Sequence, residues 1–224
     1  MKKYLVIITL VLVGSIARAQ KTQTAEEKAN YINVITARAA KIVDGLGIKD
    51  SVKYKKVRGI IADQYITLGT IHDTRNAQVA VINEAKKQPG ADKAAENAKI
   101  AAIDTDVTHQ LAKAHEAYLI KLGTQLSAEQ IDMVKDAMTY KILEVTYAAY
   151  LDELPNLTEA QKQKIKGWLI EAREIAIDAE SSNKKHEVFG KYKGRINNYL
   201  SAQGYDMKKA GEEWQKRIKE KAGK

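Results

Sequence analysis

The chain has 224 residues, with 37 Lys and Arg against 28 Asp and Glu, a net charge of +9, 13 Gly, 2 Pro and no Cys. Lack of cysteine excludes a disulfide framework, a zinc–thiolate site and a thiol nucleophile. The low Gly and Pro content excludes a collagen-like or low-complexity chain, and 45% hydrophobic with 29% charged residues is the balance of a globular protein.

Residues 1–19 read as an export signal. Lys2 and Lys3 form a basic start, Tyr4 to Val13 is apolar except for Thr9, and Ala17-Arg18-Ala19 has the form of a cleavage site. The apolar run is too short to cross a bilayer core of about 30 Å as a helix. The expected mature chain is residues 20–224, a single helical domain in the periplasm or outside the cell. Lipid anchoring at the cleavage site would need a cysteine. No later segment is apolar enough for stable membrane insertion. Cleavage removes Lys2, Lys3 and Arg18, leaving 34 basic and 28 acidic residues. Of these, 12 and 5 fall in residues 184–224, so the excess positive charge belongs to the C-terminal end. Such a region attracts anions or forms a solvated helix face.

Helical periodicity runs through the mature chain and no segment alternates as a strand does. Thr24 and Glu27 form a capping box for a first helix that ends near Gly45 and Gly47. Asp50 or Ser51 opens a second, continuing to about Lys87, with Val57, Ile61, Leu68 and Ile71 on its apolar stripe. Pro89-Gly90 is a stop. A third helix follows to about Leu122. At 1.5 Å per residue the second and third each reach roughly 50 Å and should pair as an antiparallel hairpin. Its tip, Ala77 to Ala102, has no aromatic residue and should project from the body. Ser127 caps a helix to about Tyr140, Val145 to Leu154 forms a short one, and Pro155 breaks the chain. Thr158 caps a helix to about Ala179, and Ser181 or Ser182 opens the next, which ends at Gly204. A final amphipathic helix carries Trp214, the expected clamp onto the body. The fold class is all-α, a bundle of about eight helices with one long hairpin.

LSAEQ at 126–130 and LTEAQ at 157–161 resemble the LTxxQ motif of the Spy/CpxP class of periplasmic helical proteins. That resemblance implies ATP-independent chaperone activity, although each pentad is also a good helix start by itself. Four longer stretches are similar to an uncharacterised family of secreted bacterial domains, domain of unknown function 3826. They are GIIADQYITLGTIHDTR (59–75), LSAEQIDMVKDAMTY (126–140), VTYAAYLDELPNLTEAQ (145–161) and GKYKGRINNYLSAQGYD (190–206). This resemblance implies secretion and a link to polysaccharide metabolism. It carries over no catalytic residue.

The residues themselves point to binding before catalysis. There is no nucleophile elbow, phosphate loop or H-E-x-x-H. His72, with Asp73 and Arg75, borders the stripe of the second helix. It is either an acid–base group or a hydrogen-bonded boundary residue. Asp106 and His109 share a face but supply too few ligands for a metal, and His115 has no partner at a matching spacing. Tyr140, Tyr147 and Tyr150 form one cluster, and Tyr192, Tyr199 and Tyr205 another. Both either fill the core or present rings to a sugar. Lys191, Arg195 and Asn198 form a polar stripe, with Lys193 and Asn197 beside it. Gly190 and Gly194, four apart, suggest that a helix or a ligand approaches the backbone there. The expected ligand-binding set is Lys191, Lys193, Arg195, Asn197, Asn198, Tyr199, Tyr147, Tyr150, His72 and Arg75, with no metal and no cofactor. The expected partner is an acidic oligosaccharide or another exported protein, not nucleic acid. The expected function is that of a non-catalytic accessory protein, with a holdase chaperone and a glycan-acting enzyme as alternatives.

Overall fold

The computed structural model describes residues 24–222, so the expected export signal lies outside the described residues. The helices are α1 (Ala25–Asp44), α2 (Ser51–Ala85), α3 (Lys93–Gly123), α4 (Ala128–Met138), α5 (Ile142–Glu153), α6 (Glu159–Ala176), α7 (Ser182–Ala202) and α8 (Met207–Ala222). There is no strand among the described residues. None of these helices is long and apolar enough to cross a membrane.

The helix starts follow from capping chemistry. Thr24 with Glu27, Ser127 with Gln130 and Thr158 with Gln161 form reciprocal capping boxes. Asp50, Asp92 and Ser181 cap α2, α3 and α7 through single side chains. Both pentads are therefore accounted for locally. Each places a buried Leu (Leu126 or Leu157) before a Ser or Thr cap and a Gln that closes the box.

α2 and α3 pair as the hairpin, turning where Gly90 takes φ +77°. No residue from 69 to 117 is buried, so the distal hairpin is an arm with little core of its own. Its base joins α1 and α4 in a first core built on Ala39, Val43, Val57, Ile61, Leu122 and Met138. A second core gathers α5, α6 and α7 around Ile165, Leu169, Phe189, Ile196 and Leu200. α8 lies against α5, where the Trp214 indole N–H donates to Asp152 at 2.7 Å and Arg217 donates to the Asp152 and Glu153 carbonyls. Trp214 is thus the clamp expected from the sequence.

Two expectations on boundaries change. α6 stops at Ala176, and the short helix begins at Ile142. The chain turns between α4 and α5 because Tyr140 and Lys141 both take left-handed backbone angles, φ 57° and 55°. Side chains with a Cβ rarely adopt this conformation.

The two cores meet along a charged seam. Arg173 of α6 is 5% exposed and bonds Asp136 at 2.9 Å and Asp132 at 2.6 Å, both on α4. Lys135 of α4 reaches back to Glu174 at 2.8 Å. Ile177, just past α6, packs in the first core. Replacing Arg173 by Leu removes the cation while the two aspartates keep partial access to water. The expected loss of stability is about 2–3 kcal/mol, below the 3–5 of a fully buried pair. Urea unfolding checks it, and Asp132→Asn should cost less because Asp132 is more than half exposed.

Candidate functional site

Past the end of α6, Ile177 and Asp178 hold three other helices. The Asp178 carbonyl lies 2.8 Å from His72 Nε2 on α2. A carbonyl only accepts, so Nε2 carries a proton and donates. The Asp178 carboxylate accepts from His115 Nδ1 on α3 at 2.7 Å and, at 3.5 Å, from Gln64 on α2. The Ile177 carbonyl accepts from Lys185 of α7 at 3.4 Å.

Two concavities adjoin at this junction and share His72, Ala179 and Glu180. The outer one is a groove of about 470 Å³ between the hairpin and the start of α7, lined by Arg75, Asp104, Thr108, Lys184 and Lys191. Arg75 is held across the hairpin by Asp104, with both contacts at 2.9 Å, and donates to Asn76 at 3.2 Å. Asn76 in turn donates to Glu180 at 2.6 Å.

The inner one is a more enclosed cavity of about 230 Å³ between α1, α2, the α4–α5 turn and the start of α7. Tyr31, Tyr65 and Tyr140 supply aromatic wall, and Arg38, Ser182 and Lys185 supply polar groups. Gly69 allows Tyr31 to approach α2, because a Cβ there would stand 2.8 Å from the phenol oxygen. Tyr140, turned by its left-handed backbone, stacks on His186 at 5.9 Å. Lys185 is 5% exposed, and its ammonium donates to the Met138 carbonyl at 2.9 Å as well as to Ile177. These carbonyls end α4 and follow α6, where helix dipoles favour a cation. Burial nonetheless pushes the Lys185 pKa down to about 8; Asp178 opposes the shift and Arg38 adds to it. Both cations lie near the Tyr65 ring, Arg38 at 5.4 Å and Lys185 at 5.8 Å from its centre. Burial raises the Tyr65 phenol to about 12, so it stays neutral.

One protein family has a sequence profile matching residues 32–220. The chain belongs to the DUF3826 family. Its description is "protein of unknown function". No curated protein matches the chain. Both concavities of this DUF3826 protein lie within the matched span, except for Tyr31.

The residues expected to bind separate into distinct places. His72, Arg75 and Lys191 come together in the groove. Lys193, Asn197 and Tyr150 line a different depression between α5 and α7, where Tyr150 donates to Asn197 at 2.7 Å. Arg195 lies over the Trp168 ring at 4.5 Å and pairs with Glu171 at 3.3 Å. Tyr199 meets Trp168 edge-on, and Tyr147 packs on the second core. Asn198 is exposed on α7. A Cβ on Gly190 or Gly194 would meet no described atom within 4 Å, so no helix approaches there as the sequence suggested. On the arm, Asp106 accepts from Gln110 at 2.7 Å and His109 is exposed.

Sequence reasoning passed over Lys185, Arg38, Tyr31, Tyr65 and the partner of His115. For Lys185 a signal exists. It stands four, seven and eleven residues before Phe189, Tyr192 and Ile196, on the buried stripe of α7.

The His115 contact fixes a pH dependence. Its bond to Asp178 raises the His115 pKa, with burial opposing and Glu174 assisting. A raised histidine stabilises fully below its ordinary range near 6.5, and the contribution disappears as pH climbs through the raised value. The expected stability advantage of the wild type over His115→Ala at pH 5.5 is on the order of 1 kcal/mol greater than at pH 9. Urea midpoints of both proteins at the two pH values check it.

Proposed function

We propose that this is an exported, non-catalytic binding protein whose ligand is a saccharide seated in the groove between the hairpin and α7. The observation that carries the reading is the adjoining pair of concavities, polar outside and aromatic inside, fixed by the Ile177–Asp178 junction. The groove mixes donors and acceptors. Arg75, Lys184 and Lys191 offer N–H groups, Asp104 and Glu187 offer carboxylates, and Thr108 a hydroxyl. This mixture matches vicinal hydroxyls, each of which both donates and accepts. Aromatic faces take the apolar C–H faces of sugar rings, and three tyrosines line the adjoining cavity. Export is supported by the basic start, the apolar run and the Ala-x-Ala site of residues 1–19.

Binding is favoured over turnover because most of the charged groove residues are already committed. Arg75 is paired with Asp104, Lys184 with Glu187, and the His72 Nε2 proton with a main-chain carbonyl. None of them forms the nucleophile–base or acid–base pair that hydrolysis uses.

Two measurements test the proposal. Cell fractionation followed by N-terminal sequencing should find the protein outside the cytosol and beginning at Gln20, and protein confined to the cytosol with Met1 intact would refute export. Titration calorimetry against a panel of neutral and acidic oligosaccharides should detect at least one binder. Lys191→Ala should then weaken binding about 5- to 10-fold, the effect of a single polar contact of roughly 1–1.4 kcal/mol. No heat with any member of the panel would remove the saccharide reading.

A further inference from the structure

The inner cavity carries a charge arrangement that the groove does not explain. Two cations, Arg38 and Lys185, line one small space. Among the described residues neither has a carboxylate within ion-pair distance. The only carboxylate on the wall is Glu180, which Asn76 already engages at 2.6 Å. Lys185 has three N–H donors and gives two of them to main-chain carbonyls.

The start of α7 adds to this. The Ser181 hydroxyl caps the Lys184 amide at 3.2 Å, and the Lys185 amide donates to the Ser181 carbonyl. The Ser182 and Asn183 amides, at the first two helical positions, have no acceptor within the helix. Ser181 and Ser182 both line the cavity, so the positive end of a 21-residue helix faces the same space as the two cations. The remaining wall is aromatic and aliphatic.

We infer that the inner cavity is a carboxylate subsite, where Arg38, Lys185 and the first turn of α7 receive the carboxylate of an acidic sugar whose ring lies against the tyrosines. The inference rests on the saccharide reading of the adjoining groove and gives that ligand its chemical class. A cavity of about 230 Å³ lies below the ~300–1,000 Å³ of drug-sized sites, so it holds one terminal residue of a longer ligand. A guanidinium meets a carboxylate through two parallel N–H bonds, a geometry that a neutral hydroxymethyl group cannot reproduce. A bound carboxylate also relieves the repulsion between Arg38 and Lys185.

The same arrangement sets a pH dependence. The groups facing Lys185 are Tyr31 and Arg38 from α1, Tyr65 and His72 from α2, Tyr140 from the α4–α5 turn, and Asp178 and Glu180 from the segment before α7. Burial pushes the Lys185 pKa down to about 8 and the Tyr65 pKa up to about 12, so of the two only Lys185 changes charge between pH 7 and 9.5. Carboxylate affinity should therefore fall as pH rises from 7 to 9.5.

The test is titration calorimetry of the mature chain, residues 20–224, with D-glucuronate, D-glucose and inorganic phosphate, repeated with Arg38→Gln. Arg38 is exposed, so this variant should keep the wild-type urea midpoint. The expected result is glucuronate binding at least 10-fold tighter than glucose or phosphate. Arg38→Gln should weaken it at least 10-fold, and pH 9.5 at least 3-fold. Lys185→Met should abolish it if that variant folds. Equal affinity for glucuronate and glucose, unchanged by Arg38→Gln, would overturn the carboxylate subsite and leave the saccharide reading standing. Phosphate bound as tightly as glucuronate would overturn it in favour of a generic anion site. Silence with every probe here, together with silence across the oligosaccharide panel, would remove both.

Discussion

A buried lysine and two part-buried histidine contacts at one chain reversal govern how the two halves of the molecule sit. When α6 ends at Ala176, its last carbonyls need partners, as do those that end α4. Lys185 satisfies one from each helix, joining Met138 to Ile177. The next carbonyl, of Asp178, takes the His72 proton, and the Asp178 side chain takes His115. Four helices are thereby tied to two consecutive residues. The two Lys185 bonds are buried, so leaving one of them unmade would cost about 1–3 kcal/mol, and the part-buried histidine bonds cost less. Hydrophobic packing alone would permit the two cores to slide against each other, since apolar contact has no direction. The polar junction fixes their register.

That register creates the two concavities. The groove exists because α7 starts beside the near part of the arm, at Arg75, Asp104 and Thr108. The cavity is walled on the side of the α4–α5 turn by Tyr140, which stays half exposed. The arm beyond residue 69 takes no part in either core, and its charged surface is stitched by pairs such as Arg75–Asp104 and Lys99–Glu96. Exposed pairs of this kind add little stability, so the arm depends on the folding of its base.

Much of the fold is legible in the sequence because caps and turns are local. Thr24 with Glu27, Ser127 with Gln130, Thr158 with Gln161, and Pro89-Gly90 each act within a few residues. The composition of the tip announces an arm because a core cannot be built from Ala, Lys and Glu. The site is less legible because its contacts are distant. His115 and Asp178 are 63 positions apart, and Lys185 reaches Met138 across 47. No periodicity encodes such pairings. Tyr140 and Lys141 escape notice for another reason, since neither residue type signals a left-handed backbone. The polar stripe of α7 looked like one surface. Arg195, however, folds onto Trp168 while Lys191 faces the groove, so helical spacing places residues on a face without saying what each side chain covers.

The most direct measurement is amide hydrogen exchange on the wild type and on Asp178→Ala, which removes the carboxylate and keeps the main chain. If the junction organises both halves, protection should fall together in two separated segments that bond the lost carboxylate: α2 around Gln64 and α3 around His115. α5 and α8 should remain unchanged. A loss confined to the few residues flanking position 178, with α2 and α3 as protected as before, would contradict the claim that this chain reversal holds the molecule in register.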